Sequence, residues 1–422
     1  MATQEQVIQA LVGKTGARLQ DIVVCQTSGR LPVHDDHTDH QLGPVNGLSV
    51  AAPGFVYGAF APNGGSKRHT VLVESLDPEY AGSLEFDLDS IPTAAELNGH
   101  WARYAVGAVH ALQQDHHLPP LERGATILVG SEIFTSAGLS SSASIGLNYL
   151  TGLLQCNGLA GQVSQAQLIE LDKAIENGFL GLQNGILDQG IITLGEAGKL
   201  VYMDCEAYAD GNPDFFRIVE PGAGMPEFKI FFLYSGKQRD LTENRFYNER
   251  VRLCYAAAQN LCDLTGREYV DGRGLSQVPA TEFLRWASQL TPEERAVAMH
   301  VYGAIERINE GTRLWEQGDL GGQLITAAGY SLDQQFHVGS TELQSLTGTA
   351  LTVHGVVGAR QVGAGIGGGV AAFVPVTECY DQVIGELGEC IGHFKREFPE
   401  YRDTARLVEC TPADGITVHT CL

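Results

Sequence analysis

The chain has 422 residues, 44% of them hydrophobic, and carries 27 Lys and Arg against 50 Asp and Glu, a formal net charge of −23. That length suits two cores, and that charge argues against nucleic acid or an anionic membrane as the main partner, since either calls for a basic surface. The nine cysteines form no C-x-x-C pair, no run approaches the roughly 18 apolar residues of a membrane span, and Met1-Ala-Thr-Gln-Glu-Gln6 lacks a basic segment leading into an apolar core, so the expectation is a soluble, cytoplasmic protein with reduced thiols.

In chain order, residues 1–15 read as a short amphipathic helix, followed by strand-like segments at 21–25, 47–60 and 69–75. Within this stretch, Gly29-Arg-Leu-Pro-Val-His-Asp-Asp-His-Thr-Asp-His-Gln41 packs three acids, three imidazoles and an arginine into thirteen residues. Such density is hard to explain structurally, because buried charges must be paired and clustered surface charges gain little. Residues 97–113 have helical spacing, and Ala125-Thr-Ile-Leu-Val129 is a compact strand.

Thr135-Ser-Ala-Gly-Leu-Ser-Ser-Ser-Ala-Ser144 follows, a run of small residues entering a helix marked by Ile145, Leu147, Tyr149, Leu150 and Leu153. Gly138 permits close approach, the serines offer hydroxyl and N–H donors, and the helix end is positive, so the segment suits phosphate. The plain alternative is a serine-rich turn that merely caps a helix.

Ser164-Gln-Ala-Gln167 is a capping box for a helix ending near Asn177-Gly178; a loop over 181–190 and alternating strands around 191–205 are expected next. The Pro/Gly-rich stretch 220–226 precedes an apolar strand at 228–234 and sets an expected boundary between domains 1–225 and 226–422. Helices are expected at 243–264, 281–287, 293–317 and 380–396. Gly358-Ala-Arg-Gln-Val-Gly-Ala-Gly-Ile-Gly-Gly-Gly369 lies between two strands. Segregated helices and hairpin-connected strands read as α+β.

The 29–41 segment, the serine loop and the 358–369 glycine-rich segment, in this order, resemble the three motifs of the GHMP small-molecule kinases, and specifically the galactokinase branch. Trp101-Ala-Arg-Tyr104 and Gly185-Ile-Leu-Asp-Gln189 add two ordered matches. The stretches 175–189, 201–205 and 235–248, with His40-Gln41, look most like galacturonokinases. The sequence departs from the galactokinase pattern at Asp36, where galactokinases carry a glutamate near the sugar 6-hydroxyl, and at residues 32–35.

The resemblance implies a two-domain α+β fold with the active site in the cleft between domains, binding ATP, Mg²⁺ and a small sugar in a monomer or small homo-oligomer. The reaction it implies is phosphorylation of an anomeric hydroxyl. The preferred substrate is D-galacturonate; the alternatives are D-galactose, arabinose or N-acetylgalactosamine. By the same resemblance Asp188 accepts or orients the hydroxyl proton beside Arg30, and Ser141 with Glu176 holds the metal. Asp36, His37, Asp39, Gly185 and Tyr247 bind the sugar, with Asp36 at C6. Trp101 lines the adenine pocket, while Ser136, Gly138, Leu139, Ser140, Ser141, Ser142, Gly363 and Gly365 contact the nucleotide. A carboxylate at C6 would be repelled by Asp36 unless offset, for which Arg239, Arg245 or His34 are candidates.

Three rivals are weighed. A metallohydrolase could use the 34–40 His/Asp cluster, but no matching ligand cluster follows downstream. Gly363-Ala-Gly-Ile-Gly-Gly368 satisfies G-x-G-x-x-G but precedes a strand-like segment instead of a helix, so the dinucleotide reading fails on context. A sugar- and ATP-binding sensor without turnover would be expected to lack the base or the phosphate loop, and both are present here.

Overall fold

The computed structural model describes residues 2–97, 99–135, 137–238 and 243–420, leaving aside the side chains of 243–245 and 420. Two sheets organise them. The first runs in the order Ile416–Thr420, Val23–Thr27, Val56–Pro62, Ala125–Ser131, Thr70–Ser75, Ser83–Asp87. Its neighbours are antiparallel except Thr70–Ser75 with Ala125–Ser131. The second sheet contains Gly358–Gln361, Gly369–Pro375, Phe228–Tyr234, Arg406–Pro412, Val45–Ala51, Leu200–Met203 and Phe216–Val219, with Gly29–Pro32 added on Val45–Ala51. Strands from both sides of residue 225 therefore enter each sheet. The architecture is α+β, and among the described residues no helix is long and apolar enough to cross a membrane.

Helix Ser141–Cys156 lies on the first sheet, and its register is fixed by polar as well as apolar contacts. Buried Asn148 donates from Nδ2 to the carbonyls of Cys25 and Val56 and to Thr27 Oγ1, at 3.1, 3.3 and 3.2 Å. Thr27 Oγ1 in turn donates to the Ser144 carbonyl at 2.9 Å. One turn further on, Gly152 lets the ring of Phe60 pack against the helix backbone. Because buried polar groups are costly when unpaired, this staple holds the helix, and hence the serine loop at its start, at one place on the sheet.

Helices Glu243–Thr265, Ala280–Trp286, Pro292–Glu316 and Gly322–Gln334 share a hydrophobic cluster around Leu261, Phe283, Val301 and Phe336. Helices Thr341–Thr352 and Tyr380–Glu397 cover the second sheet through Leu346, Leu387 and Phe394.

Several expectations are corrected. The loop expected over 181–190 holds only to residue 186, where helix Leu187–Leu194 begins, and of the expected strands at 191–205 only Leu200–Met203 forms. Ile191, Ile192 and Leu194 have an apolar spacing that suits either element, and packing against the sheet decides for helix. The 47–60 segment divides into Val45–Ala51 and Val56–Pro62, and the helix expected from 97 begins at Arg103 after a short turn Ala94–Leu97. Helices Gly322–Gln334 and Thr341–Thr352 were not anticipated.

Gly152→Ala tests the docking of the loop-bearing helix. The added methyl meets the Phe60 ring, so the variant is expected to lose about 1–3 kcal/mol of stability, read from urea unfolding midpoints. A midpoint equal to wild type would show that the interface has slack.

Candidate active site

The serine loop and the glycine-rich loop come from remote parts of the sequence and pack backbone to backbone. Gly138 has φ 91°, and a side chain there would run into the Val362 carbonyl; one at Gly368 would run into the Ala137 carbonyl. Only glycine satisfies both demands, a left-handed backbone and such close approach. Gly363 and Gly365 are likewise left-handed, each at φ 76°. Ser140 caps helix Ser141–Cys156 at φ 57°, so the hydroxyls of Ser141 and Ser142 enter the same cleft as the helix end.

Strand Gly29–Pro32 delivers Arg30 beneath this loop. Its N–H bonds to the Leu139 carbonyl at 3.1 Å, and Nη1 donates to the Gly138 carbonyl at 2.6 Å. Nε and Nη2 both meet Asp188 Oδ1, at 2.6 Å each. The Ser140 hydroxyl donates to Asp188 Oδ2. Asp188 sits in the first turn of helix Leu187–Leu194, whose start is pinned by Asp39: the Leu187 N–H donates to Asp39 Oδ2 at 3.0 Å. A side chain at Gly185 would collide with that same Asp39 carboxylate. Burial, opposed by the Leu187 N–H and reinforced by the charge of Asp188, pushes the Asp39 carboxyl up to about 6.

Glu176 comes from a π-helical turn, Ala174–Phe179, that follows the capped helix Gln165–Lys173. Its Oε2 accepts from Asn184 Nδ2 at 2.7 Å, whereas Oε1 is buried without a hydrogen-bond partner. Burial and the nearby charge of Asp188 raise its carboxyl to about 7, while Asn184 and the Ser142 hydroxyl oppose the rise. An orphaned, desolvated carboxylate oxygen beside serine hydroxyls is the hard-oxygen donor set that suits a divalent cation, so the residues present fit Mg²⁺. Ser142, not assigned to the metal from sequence, is the serine that approaches Glu176.

On the sugar side, His37 is left-handed at φ 63°, stacks on Phe336 at 4.8 Å and lies 5.5 Å from the Tyr247 ring. Asp36 is 2% exposed and pairs with Arg360 Nη2 at 2.8 Å; Arg360 is 0% exposed. Asp35 pairs with Arg307 at 2.6 Å. His300, whose imidazole burial lowers to about 4, lies 3.2 Å from the Asp36 carbonyl. Asp35, Asp36 and their neighbour His34 thus take arginine, asparagine and backbone partners, and among the described residues the group that could hold a metal by His and Asp is the exposed His69, Asp87 and Asp89. The metallohydrolase alternative loses its ligand set.

One cavity of about 270 Å³ is bordered by Arg30, Asp36, His37, Asp39, Gly138, Ser140, Ser141, Ser142, Glu176, Gly185, Asp188, Tyr247, Gly363 and Gly365. Leu139 is buried and does not border it; its carbonyl accepts the Arg30 N–H. Trp101 does not border it; the indole is half-buried against the first-sheet core, and its neighbours Arg103 and Tyr104 line the cavity instead. Ser136 and Arg239 lie outside the described residues, as does the side chain of Arg245. His34 is fully buried in a bond to Asn46, so the charge facing Asp36 comes from Arg360, which sequence reading passed over although it stands inside the glycine-rich motif.

Comparison with known proteins gives the family. The model of the GHMP kinases N terminal domain matches residues 103–196. The chain is 34% identical to a galacturonokinase of Arabidopsis thaliana over 80% of each chain. It is 31% identical to a galactokinase of Staphylococcus saprophyticus over 82% of this chain and 84% of the other. The solved structure of Lactococcus lactis galactokinase complexed with galactose superposes with a TM-score of 0.80 at 26% identity, covering 97% of this chain and 99% of that one. With a shared fold, a sugar-kinase relative above 30% identity along most of the chain, and the serine and glycine loops closed over one acid–arginine pair, the chain belongs to the GHMP kinase family, in its galactokinase and galacturonokinase branch, and is a sugar-1-phosphotransferase.

Proposed function

We propose that the sugar is D-galacturonate, converted with ATP to galacturonate 1-phosphate. The observation that carries this choice is Arg360. A C6 carboxylate approaching Asp36 alone would meet a like charge, but Asp36 here is one half of a buried ion pair, so its own charge is compensated. The 34% identity to a plant galacturonokinase supports the same reading. Asp36 as a hydrogen-bond acceptor also suits a neutral 6-hydroxyl, and this favours D-galactose as the second reading.

In the proposed reaction the loop amides and the hydroxyls of Ser141 and Ser142 hold the nucleotide's phosphates at the helix end, in place of the lysine of P-loop enzymes. Glu176 with Ser141 or Ser142 would hold Mg²⁺, which supplies positive charge to the phosphate oxygens when bound. His37, Asp39 and Tyr247 position the sugar. As O1 forms its bond to the γ-phosphorus and the bond to the β-phosphate oxygen breaks, the O1 proton passes to Asp188. Arg30 and Ser140 fix both oxygens of that carboxylate, which keeps the acceptor in place before the sugar arrives.

Asp188→Asn is expected to keep ATP affinity, measured by calorimetry, and to lose about a hundredfold or more in kcat by ADP release; wild-type turnover would remove Asp188 from the proton transfer. Asp36→Ala leaves Arg360 facing C6 without a counter-ion, so the ratio of kcat/KM for galacturonate to that for galactose should rise about tenfold. An unchanged ratio would take residue 36 out of the C6 contact. A panel of galactose, galacturonate, arabinose and N-acetylgalactosamine with wild-type protein should rank galacturonate first, and galactose in first place would establish the second reading.

A further inference from the structure

The cavity is poor in positive charge for a site that must hold a polyphosphate. Four carboxylates border it, Asp36, Asp39, Glu176 and Asp188, against two guanidinium groups, Arg30 and Arg103; with Asp36 already paired to Arg360 behind the wall, three carboxylates still face two cations. Arg30 is committed, since Nε and Nη2 engage Asp188 and Nη1 engages the Gly138 carbonyl. Arg103 is different. It is the first residue of helix Arg103–Gln114, is partly exposed to the cavity, and forms no ion pair with any described carboxylate. Its guanidinium lies 5.6 Å over the ring of Tyr104, which steers the side chain without neutralising it. Helix Arg103–Gln114 packs against the turn Ala174–Phe179 that carries Glu176, and Arg103, Tyr104 and Glu176 line the same cavity.

A chain with net charge −23 gives an anion no global attraction, and the loop itself contains no Lys or Arg from 135 to 144. We propose that Arg103 is a phosphate-binding residue that closes its planar fork on the polyphosphate of the nucleotide. It then supplies the side-chain cation that the serine loop lacks. This assignment rests on the kinase reading above.

The test is titration of the intact chain and of Arg103→Gln and Arg103→Lys with ATP, ADP, adenosine and the sugar, by calorimetry. Arg103→Gln should weaken ATP and ADP about tenfold or more while adenosine and sugar affinities stay at wild-type values; Arg103→Lys should recover part of the loss. The salt dependence of ATP binding should also become shallower in Arg103→Gln. Unchanged ATP affinity overturns the assignment, as does a loss confined to the sugar, which would place the guanidinium at a sugar carboxylate. Loss of affinity for all four ligands with a lowered unfolding midpoint would mark a structural role and likewise overturn it. Wild-type protein that binds no ATP would instead sink the kinase reading itself.

Discussion

The site depends on one ion pair. Arg30 and Asp188 are 158 residues apart and meet at 2.6 Å where strand Gly29–Pro32 passes under the start of helix Leu187–Leu194. Neither charge would be stable alone at that depth, with 6% and 23% of the side chains exposed. Each is further tied to the serine loop, Arg30 through the Gly138 and Leu139 carbonyls and Asp188 through the Ser140 hydroxyl. A shift of loop, strand or helix breaks bonds at all three, so phosphate grip and proton acceptor are held in one geometry. Preorganisation of this kind is how an enzyme lowers the entropy cost of a phosphoryl transfer with little covalent chemistry of its own.

The dense His/Asp segment has two duties, divided between its first residues and those that follow. Asp36, His37 and Asp39 face the cavity, while His34 and Asp35 are turned into the fold, where they meet Asn46 and Arg307. The inward members join helix Pro292–Glu316 to the sheet, since Asn46 also bonds Thr312 at 2.9 Å. A segment that must present charge to a ligand and remain rigid needs partners for its charges behind the pocket wall. Arg307 and Arg360 provide them.

What could be read from the sequence follows from how local each signal is. The serine loop, the capping box at Ser164 and the long helices carry their information within a few residues, and the structure has them at the expected places. Gly185 and Gly190 look like loop punctuation and so hide helix Leu187–Leu194, whereas Gly185 is needed for close approach to Asp39 and Gly190 for contact with Met203. The partners Arg307 and Arg360 could not be read at all. An arginine in a helix or beside a glycine run has no local mark that it will pair with Asp35 or Asp36; only the tertiary fold makes that neighbour. Trp101 shows the converse, where the motif context drew attention to the aromatic ring while Arg103 and Tyr104, two and three positions on, border the cavity.

The pairing of Val23–Thr27 with Ile416–Thr420 has a consequence for biosynthesis. Until residues near 416 have left the ribosome, one rim of the first sheet offers unpaired amide and carbonyl groups to any neighbouring polypeptide. Until the later strand is made, Val23–Thr27 is therefore an open edge of the first sheet. Completing that sheet is a closure between segments far apart in the sequence, and contacts of such long range form slowly because the loop entropy must be lost before the pairing stabilises anything.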